Sequence, residues 1–424
     1  MVAYVCSFID RQILALMVGP IKRDLGISDT RMGLLMGLSF AVFYSFLGLP
    51  IGRLADRSNR RTIIACGIAI WSVMTALCGM TRTFWQLFLA RIGVGVGEAA
   101  LSPPAYSMIA DYFPRERLGT AIGVYSLGIY LGSGLAMMLG GWITGQVSGA
   151  TTMSVPLIGE VKPWQLVFLV IGLPGLGIAL WAATLREPVR GAMSGGPPPR
   201  SALPVADVVR YVRAHQGAFL GHNLGFAAIA MVNYGWAYWV PEWLQRVHGF
   251  TAQHVGLVYG FWTATFGVAG VVAGGWLGDV LARRGYPDAK LRVGLLGVGG
   301  ELLAALLFLL APTEVMDWAI IPSTFFASFG FGAAAAAIQE ISPVPMRAQT
   351  SALYLFTISL IGQSLGPFLV AGLTDHVFRD EMLIGRSILV VSMVGLVLAG
   401  IAFFAALAPF RRAVAASLVW GKNP

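Results

Sequence analysis

Four charged residues stand where charge is least expected. Asp10 and Arg11 are adjacent within the apolar run CSFIDRQILAL, and Arg91 and Glu98 lie within FLARIGVGVGEAA. Arg91 and Glu98 are seven apart, about two helical turns, so they share a helix face. A carboxyl group can take up and release a proton. A guanidinium can fork onto a phosphate or carboxylate through two parallel hydrogen bonds. Two of each make a net-neutral set with two readings: a structural ion network that ties helices together, or a proton site beside an anion site. Burial favours the neutral form of any carboxyl group and an adjacent guanidinium favours its charged form. A carboxyl held between these effects titrates when its arginine is drawn away. Glu98 is the better proton carrier, because Gly95 and Gly97 leave thin walls around it, and Asp10 is the second choice. Arg11 is placed to grip an anionic headgroup; Arg91 is the second candidate for the substrate site and is better suited to orient the carboxylates.

The elements that position these residues are membrane spans. The chain has 424 residues, of which 57% are hydrophobic and only 12% charged. A soluble domain carries about 25% charged residues, so too little polar surface remains to face water. Apolar runs long enough to cross ~30 Å of hydrocarbon occur near residues 2–22, 31–52, 62–81, 84–110, 118–146, 164–185, 215–241, 253–278, 291–311, 317–341, 349–375 and 383–410. Asp10 then lies roughly midway along span 1, ~15 Å from either end. An unpaired charge there costs ~2.5–3.5 kcal/mol or more, so the group must face protein interior or a wet cavity.

Charge distribution orients the chain. With both termini inside, cytoplasmic segments hold nineteen of the 29 Lys and Arg, outer segments hold eight, and Arg11 and Arg91 lie within spans. This bias places the termini in the cytoplasm. It accounts for much of the net charge of +9 without nucleic acid. Cys6, Cys66 and Cys78 have no CxxC spacing, and the five histidines form no HxxxH pattern, so neither a metal nor another cofactor is expected. No cleavable signal is evident. The chain begins almost inside its first helix, which leaves room for a short cytoplasmic leader ahead of it. These features fit a multi-pass protein of a bacterial inner membrane.

The stretch REPVRGAMSGGPPPRSALPVADVVRYVRA is rich in Gly, Pro and Ser, which cannot hold a helix through its centre. It divides the chain into an N-terminal six-helix bundle (1–185), a cytoplasmic linker (186–213) with a short amphipathic helix near 203–213, and a C-terminal bundle with a short tail (214–424). The halves repeat at an offset of 223. GRLAD at 52–56, followed by Arg60 and Arg61, returns as GWLGD at 275–279, followed by Arg283 and Arg284. The same shift carries Gly26 onto Gly249 and Gly33 onto Gly256. Two six-span repeats form an all-α transporter architecture of twelve transmembrane helices in two pseudo-symmetric bundles, with substrate handled near the midplane.

GRLADRSNRR between spans 2 and 3 resembles the signature loop of the major facilitator superfamily, and FLARIGVGVGEAA resembles its span-4 motif. Asp10 and Arg11 with Arg91 and Glu98 are most similar to the Spinster branch, linked to export of sphingolipids and lysophospholipids. GIYLGSGLAMMLGG in span 5 departs from the superfamily's antiporter motif by lacking its Gly-Pro. The resemblance implies that spans 1 and 4 both line the central cavity of the N-terminal half. It also implies that Gly52, Asp56, Arg57, Arg60 and Arg61 latch neighbouring helices when the cytoplasmic side closes, with Asp279, Arg283 and Arg284 doing the same in the second half. The plainer reading is that positive charges simply stay inside. Glu340, beside Pro343, reads as a further gate charge, and Glu301 in span 9 as a packed structural residue.

Asn233 and Tyr234 fall opposite Asp10 and Arg11 by the 223 shift, and with Gln363 they are the candidate substrate contacts of the second half. Charge on one half and neutral walls on the other suit an anionic or zwitterionic amphiphile, such as a lysolipid or sphingoid phosphate. The expected activity is proton-coupled secondary transport by alternating access. The alternative is a proton-coupled carrier of a small organic anion, a sugar acid or aromatic acid. Expected partners are membrane lipids, the substrate and protons, with the protein a monomer and no nucleic acid bound. No convergent nucleophile, metal or acid–base set marks an enzyme, and no G-x-x-x-x-G-K-[ST] loop marks an ATP-driven pump.

Overall fold

Helices occupy all twelve apolar stretches of the computed structural model, which describes residues 1–113, 115–147, 150–155, 158–189 and 204–420. Among the described residues ten helices are long and apolar enough to cross a membrane, or eleven when the pair Val2–Leu16 and Val18–Leu25, bent by 62°, counts as one. The remaining expected stretch is the 31-residue helix Gln216–Arg246, whose His222, Asn223, Asn233 and Glu242 lower its hydropathy. We number the spans in chain order. Spans 1 to 6 are Val2–Leu25 with its bend, Asp29–Ala55, Arg60–Cys78, Phe84–Tyr112, Ala121–Gln146 and Pro163–Ala183. Span 7 is Gln216–Arg246. Spans 8 to 12 are Ala252–Arg283, Ala289–Leu309, Thr313–Glu340, Val344–Phe378 and Glu381–Val419. A two-stranded hairpin, Met153–Val155 against Gly159–Val161, joins spans 5 and 6.

Local sequence sets the ends and breaks of these helices. Ser28, Asn59 and Thr83 cap spans 2, 3 and 4, each accepting a backbone N–H three residues on. Span 1 breaks before Pro20, whose ring clashes with the carbonyl four residues earlier and which donates no amide. Span 4 breaks just after Glu98, where Ser102, Pro103 and Pro104 begin a new helical segment. Gly26 ends span 1 in the left-handed conformation at φ 61°, and Gly249 ends span 7 the same way at φ 72°. These two glycines are repeat mates, so the 223-residue offset reappears in the backbone itself.

The chain packs as two units. One comprises Met1–Pro199, Ala237–Ala264 and Pro367–Ile384, and the other Arg200–Trp236, Thr265–Gly366 and Gly385–Pro424. The packed units therefore partition the chain differently from the sequence halves, since the outer parts of spans 7, 8 and 11 belong with spans 1 to 6.

In the first unit, glycines let backbones meet. A Cβ on Gly95 would lie 2.8 Å from the Phe40 carbonyl oxygen of span 2, and one on Gly97 2.6 Å from the Trp71 nitrogen of span 3. The GVGVG run of span 4 is thus a packing surface that draws spans 2 and 3 onto the helix carrying Glu98. Gly97→Val is expected to cost about 1–3 kcal/mol through overpacking, read as a lowered melting temperature of the purified protein.

The second unit is built around Phe219, Phe226, Phe403 and Phe410. The linker helix Val205–Ala214 joins this core through Val208 and Tyr211. The Tyr211 hydroxyl donates to the Ile341 carbonyl at 3.1 Å, and burial pushes the phenol up to about 12.

Candidate functional site

Span 1 presents Ser7 and Arg11 one turn apart, and both reach Glu98 of span 4. The Ser7 hydroxyl and the Arg11 guanidinium each donate to Glu98 Oε2 at 2.5 Å. Asp10, Arg11, Arg91 and Glu98 are 3, 4, 0 and 1% exposed, so the whole group is withdrawn from its surroundings. Burial of this depth makes each charge costly unless it is paired. The pairing is selective. Arg91 donates to the backbone carbonyl of Asp10 at 3.2 Å, while among the described residues Asp10 Oδ1, Glu98 Oε1 and two of the three Arg91 guanidinium nitrogens have no hydrogen-bond partner. Arg91 therefore fixes the backbone of span 1, where its expected contact was to a carboxylate.

Aromatic rings complete the setting of Arg11. Its guanidinium carbon lies 4.6 Å from the ring centre of Phe8, 4.4 Å from that of Phe40 and 5.2 Å from that of Tyr44. Cation–π attraction of this kind contributes ~0.5–2 kcal/mol per contact. It holds the cation without spending its donors. The Arg11 carbonyl accepts from Tyr238 at 3.3 Å, within the same unit. Ser7, Phe8, Phe40, Tyr44 and Tyr238 are absent from the residues singled out by sequence. Of these, Ser7 and Phe8 were accessible to helical spacing, one turn from Arg11, whereas the others meet it only through tertiary packing.

The remaining candidates are distributed as follows. Arg60 is a buried clasp: its guanidinium donates to Asp111 at 2.5 Å, Glu187 at 2.7 Å, Ser107 at 2.8 Å and the Pro188 carbonyl at 3.1 Å. The Arg61 amide adds a bond to Glu187 at 2.9 Å. This ties the start of span 3 to the inner end of span 4 and to the exit of span 6. Gly52 faces Pro103 and Arg57 is exposed; the Asp56 side chain lies outside the described residues. In the second unit Asp279 pairs with Lys290 at 2.5 Å, while Arg283 and Arg284 are exposed. The Glu340 carbonyl accepts from Ser417 at 2.7 Å. Asn233 donates to the Ala327 carbonyl at 2.6 Å, and Tyr234 is half-buried beside it in sequence. Gln363 is buried at the end of a π-helical segment, Ile358–Gln363, with neither amide atom hydrogen-bonded among the described residues. Glu301 is buried with Oε2 unbonded.

The Arg60 clasp has a pH signature. Partial burial works upward on Glu187, but hydrogen bonds from Arg60 and the Arg61 amide outweigh it and hold the carboxyl below its usual range. A lowered folded value gives stability that is present above the unfolded pKa of about 4.3 and lost as acid protonates the folded carboxylate. Wild type is expected to melt above Glu187→Gln at pH 7. The gap should close as the pH falls below about 4.

Comparisons with known proteins identify the family. The model of the Major Facilitator Superfamily matches residues 1–367. An MFS-type efflux pump of Mycolicibacterium smegmatis is 29% identical over 96% of this chain and 90% of its own length. Protein spinster homolog 1 of Bos taurus is 29% identical over 88% of this chain and 71% of its own. The crystal structure of a bacterial homolog to the human lysosomal transporter Spinster, in an inward-facing and unoccupied conformation, superposes with a TM-score of 0.77. It is 28% identical and covers 98% of this chain and 96% of its own. With its repeat, its apolar helices and these matches over nearly its whole length, the chain belongs to the major facilitator superfamily, as a multi-pass membrane transporter resembling Spinster proteins and not an enzyme.

Proposed function

We propose that this protein is a proton-coupled secondary transporter of an anionic or zwitterionic amphiphile, such as a lysolipid or sphingoid phosphate. The observation that carries the reading is the Arg11–Glu98 pair, 2.5 Å long and buried, with the guanidinium set among three aromatic rings. One Glu98 oxygen is occupied by Arg11 and Ser7, and among the described residues the other has no hydrogen-bond partner. Protonation of Glu98 removes the charge that holds Arg11 and releases its fork to a phosphate or carboxylate. Loss of the proton restores the pair and expels the anion. Proton and substrate thus compete for, or hand over, one guanidinium. Asp10 is the second proton carrier, and Arg91, a further candidate substrate contact, fixes the span-1 backbone on which Asp10 and Arg11 stand. Asn233, Tyr234 and Gln363 supply neutral contacts. The halves 1–185 and 214–424, joined by the linker 186–213, rock about this site. Asp56, Arg57, Arg60 and Arg61 with Asp279, Arg283, Arg284 and Glu340 secure the cytoplasmic side.

Ligand-induced thermal stabilisation tests the substrate class, because a ligand that binds only the folded state raises its apparent stability by mass action. The panel spans lysolipids of increasing acyl length, sphingoid phosphates and short sugar or aromatic acids. Stabilisation that grows with acyl length is the expected result. Stabilisation by short acids alone would assign the protein to small organic anions instead.

A further inference from the structure

The sequence placed the gate charges on the cytoplasmic side, yet the most deeply buried ion network outside the Arg11–Glu98 site lies at the outer end of the first unit. Asp29 receives Lys22 at 2.5 Å and both ends of the Arg246 fork, at 2.7 and 2.9 Å. Arg246 also pairs with Glu242 at 2.9 Å. Lys22 reaches Glu381 at 2.9 Å, and the Thr30 amide and hydroxyl donate to Asp375 at 2.6 and 2.7 Å. Asp29, Glu242 and Lys22 are all buried. Spans 1, 2, 7, 11 and 12 therefore meet through charge and hydrogen bonds at this end.

One contact identifies the place. The Gly19 amide donates to Glu242 Oε2 at 3.0 Å, and the two residues are 223 apart, the offset of the internal repeat. Repeats of this kind are related by an axis along the membrane normal. Equivalent positions of two such repeats can touch only beside that axis. Gly19 and Glu242 thus mark where the two repeats meet on the outer side. A second pair of mates agrees: a Cβ on Gly33 would press on Pro367 and Phe368 of span 11, and one on Gly256 would press on Gly141 of span 5.

We propose that Glu242, docked on the Gly19 amide and paired with Arg246, whose fork is held by the Lys22-bound Asp29, is the latch that closes the outer side and must release for outside access. The inference rests on the alternating-access reading. Chain chemistry makes the dock. The Pro20 break leaves Gly19 in the first turn of the helix Val18–Leu25, where amides lack helical partners and the helix end is partly positive. Glycine leaves room as well, since a Cβ there would lie 3.3 Å from Arg23 and 3.4 Å from both Glu242 oxygens. An ionic seal also suits a gate. The desolvation cost of buried charges largely offsets their attraction, so the pairs fix one closed register and still part when water enters.

The test is a distance measurement between spin labels on the outer loops, at Arg82 and Thr251, in full-length protein with Cys6, Cys66 and Cys78 replaced. Samples contain wild-type gate, Glu242→Gln or Gly19→Ala, each with and without lysophosphatidylcholine. Gly19→Ala keeps every charge, so it serves if the first variant fails to fold. A long-distance population raised about threefold or more in the variants supports the latch, a shift equivalent to ~0.7 kcal/mol by the tenfold-per-1.4 kcal/mol relation. Two populations in wild type that neither variant shifts would overturn the latch and leave alternating access standing. A single short distance in every sample would overturn both.

Discussion

Glu98→Gln is expected to abolish the pH dependence of transport while leaving substrate exchange across the membrane in place. The substitution keeps the shape of the side chain and removes its charge and its proton. In the structure the buried Glu98 carboxyl is engaged by Arg11 near the middle of span 4, and among the described residues its second oxygen has no hydrogen-bond partner. For one coupled proton, each unit of pH gradient is worth ~1.4 kcal/mol, or about tenfold in substrate accumulation. The variant should lose that factor in proteoliposomes with an imposed gradient and retain counterflow without one. Wild-type pH dependence in Glu98→Gln would move the proton to Asp10, whose Oδ1 also lacks a partner.

Arg11 carries the second large effect, and here a double variant separates folding from function. Arg11→Ala leaves Glu98 charged and buried without its cation. Breaking a buried pair from one side costs about 3–5 kcal/mol, so the melting temperature should fall well below wild type. Adding Glu98→Gln removes the stranded charge and should recover most of the loss. If the pair were purely structural, the double variant would regain ligand-induced stabilisation together with its fold. The expected result is a stable protein that no lysolipid stabilises further. Arg11→Lys is expected to sit between them, because an ammonium neither stacks flat on Phe40 nor presents a fork.

The sequence by itself determined a great deal, for reasons of periodicity and cost. Twelve apolar runs, the inside excess of positive charge and the 223-residue repeat are one-dimensional patterns, legible without knowing which helix touches which. The intramembrane positions of Asp10, Arg11, Arg91 and Glu98 were legible too, because charge in hydrocarbon is expensive enough to stand out in any reading. What only tertiary structure decided was pairing. Spacing could not tell that Arg11 would take Glu98, while Arg91 would take a carbonyl, because helix rotation and the glycine contacts of span 4 set those distances. Nor could it tell that Arg60 would be enclosed by Asp111 and Glu187. At span ends a charge costs little, so nothing in the sequence singles out Asp29, Glu242 and Arg246. The burial of Asp29 and Glu242, and the meeting of Gly19 with its own repeat mate, exist only where five distant helices converge on one side of the membrane.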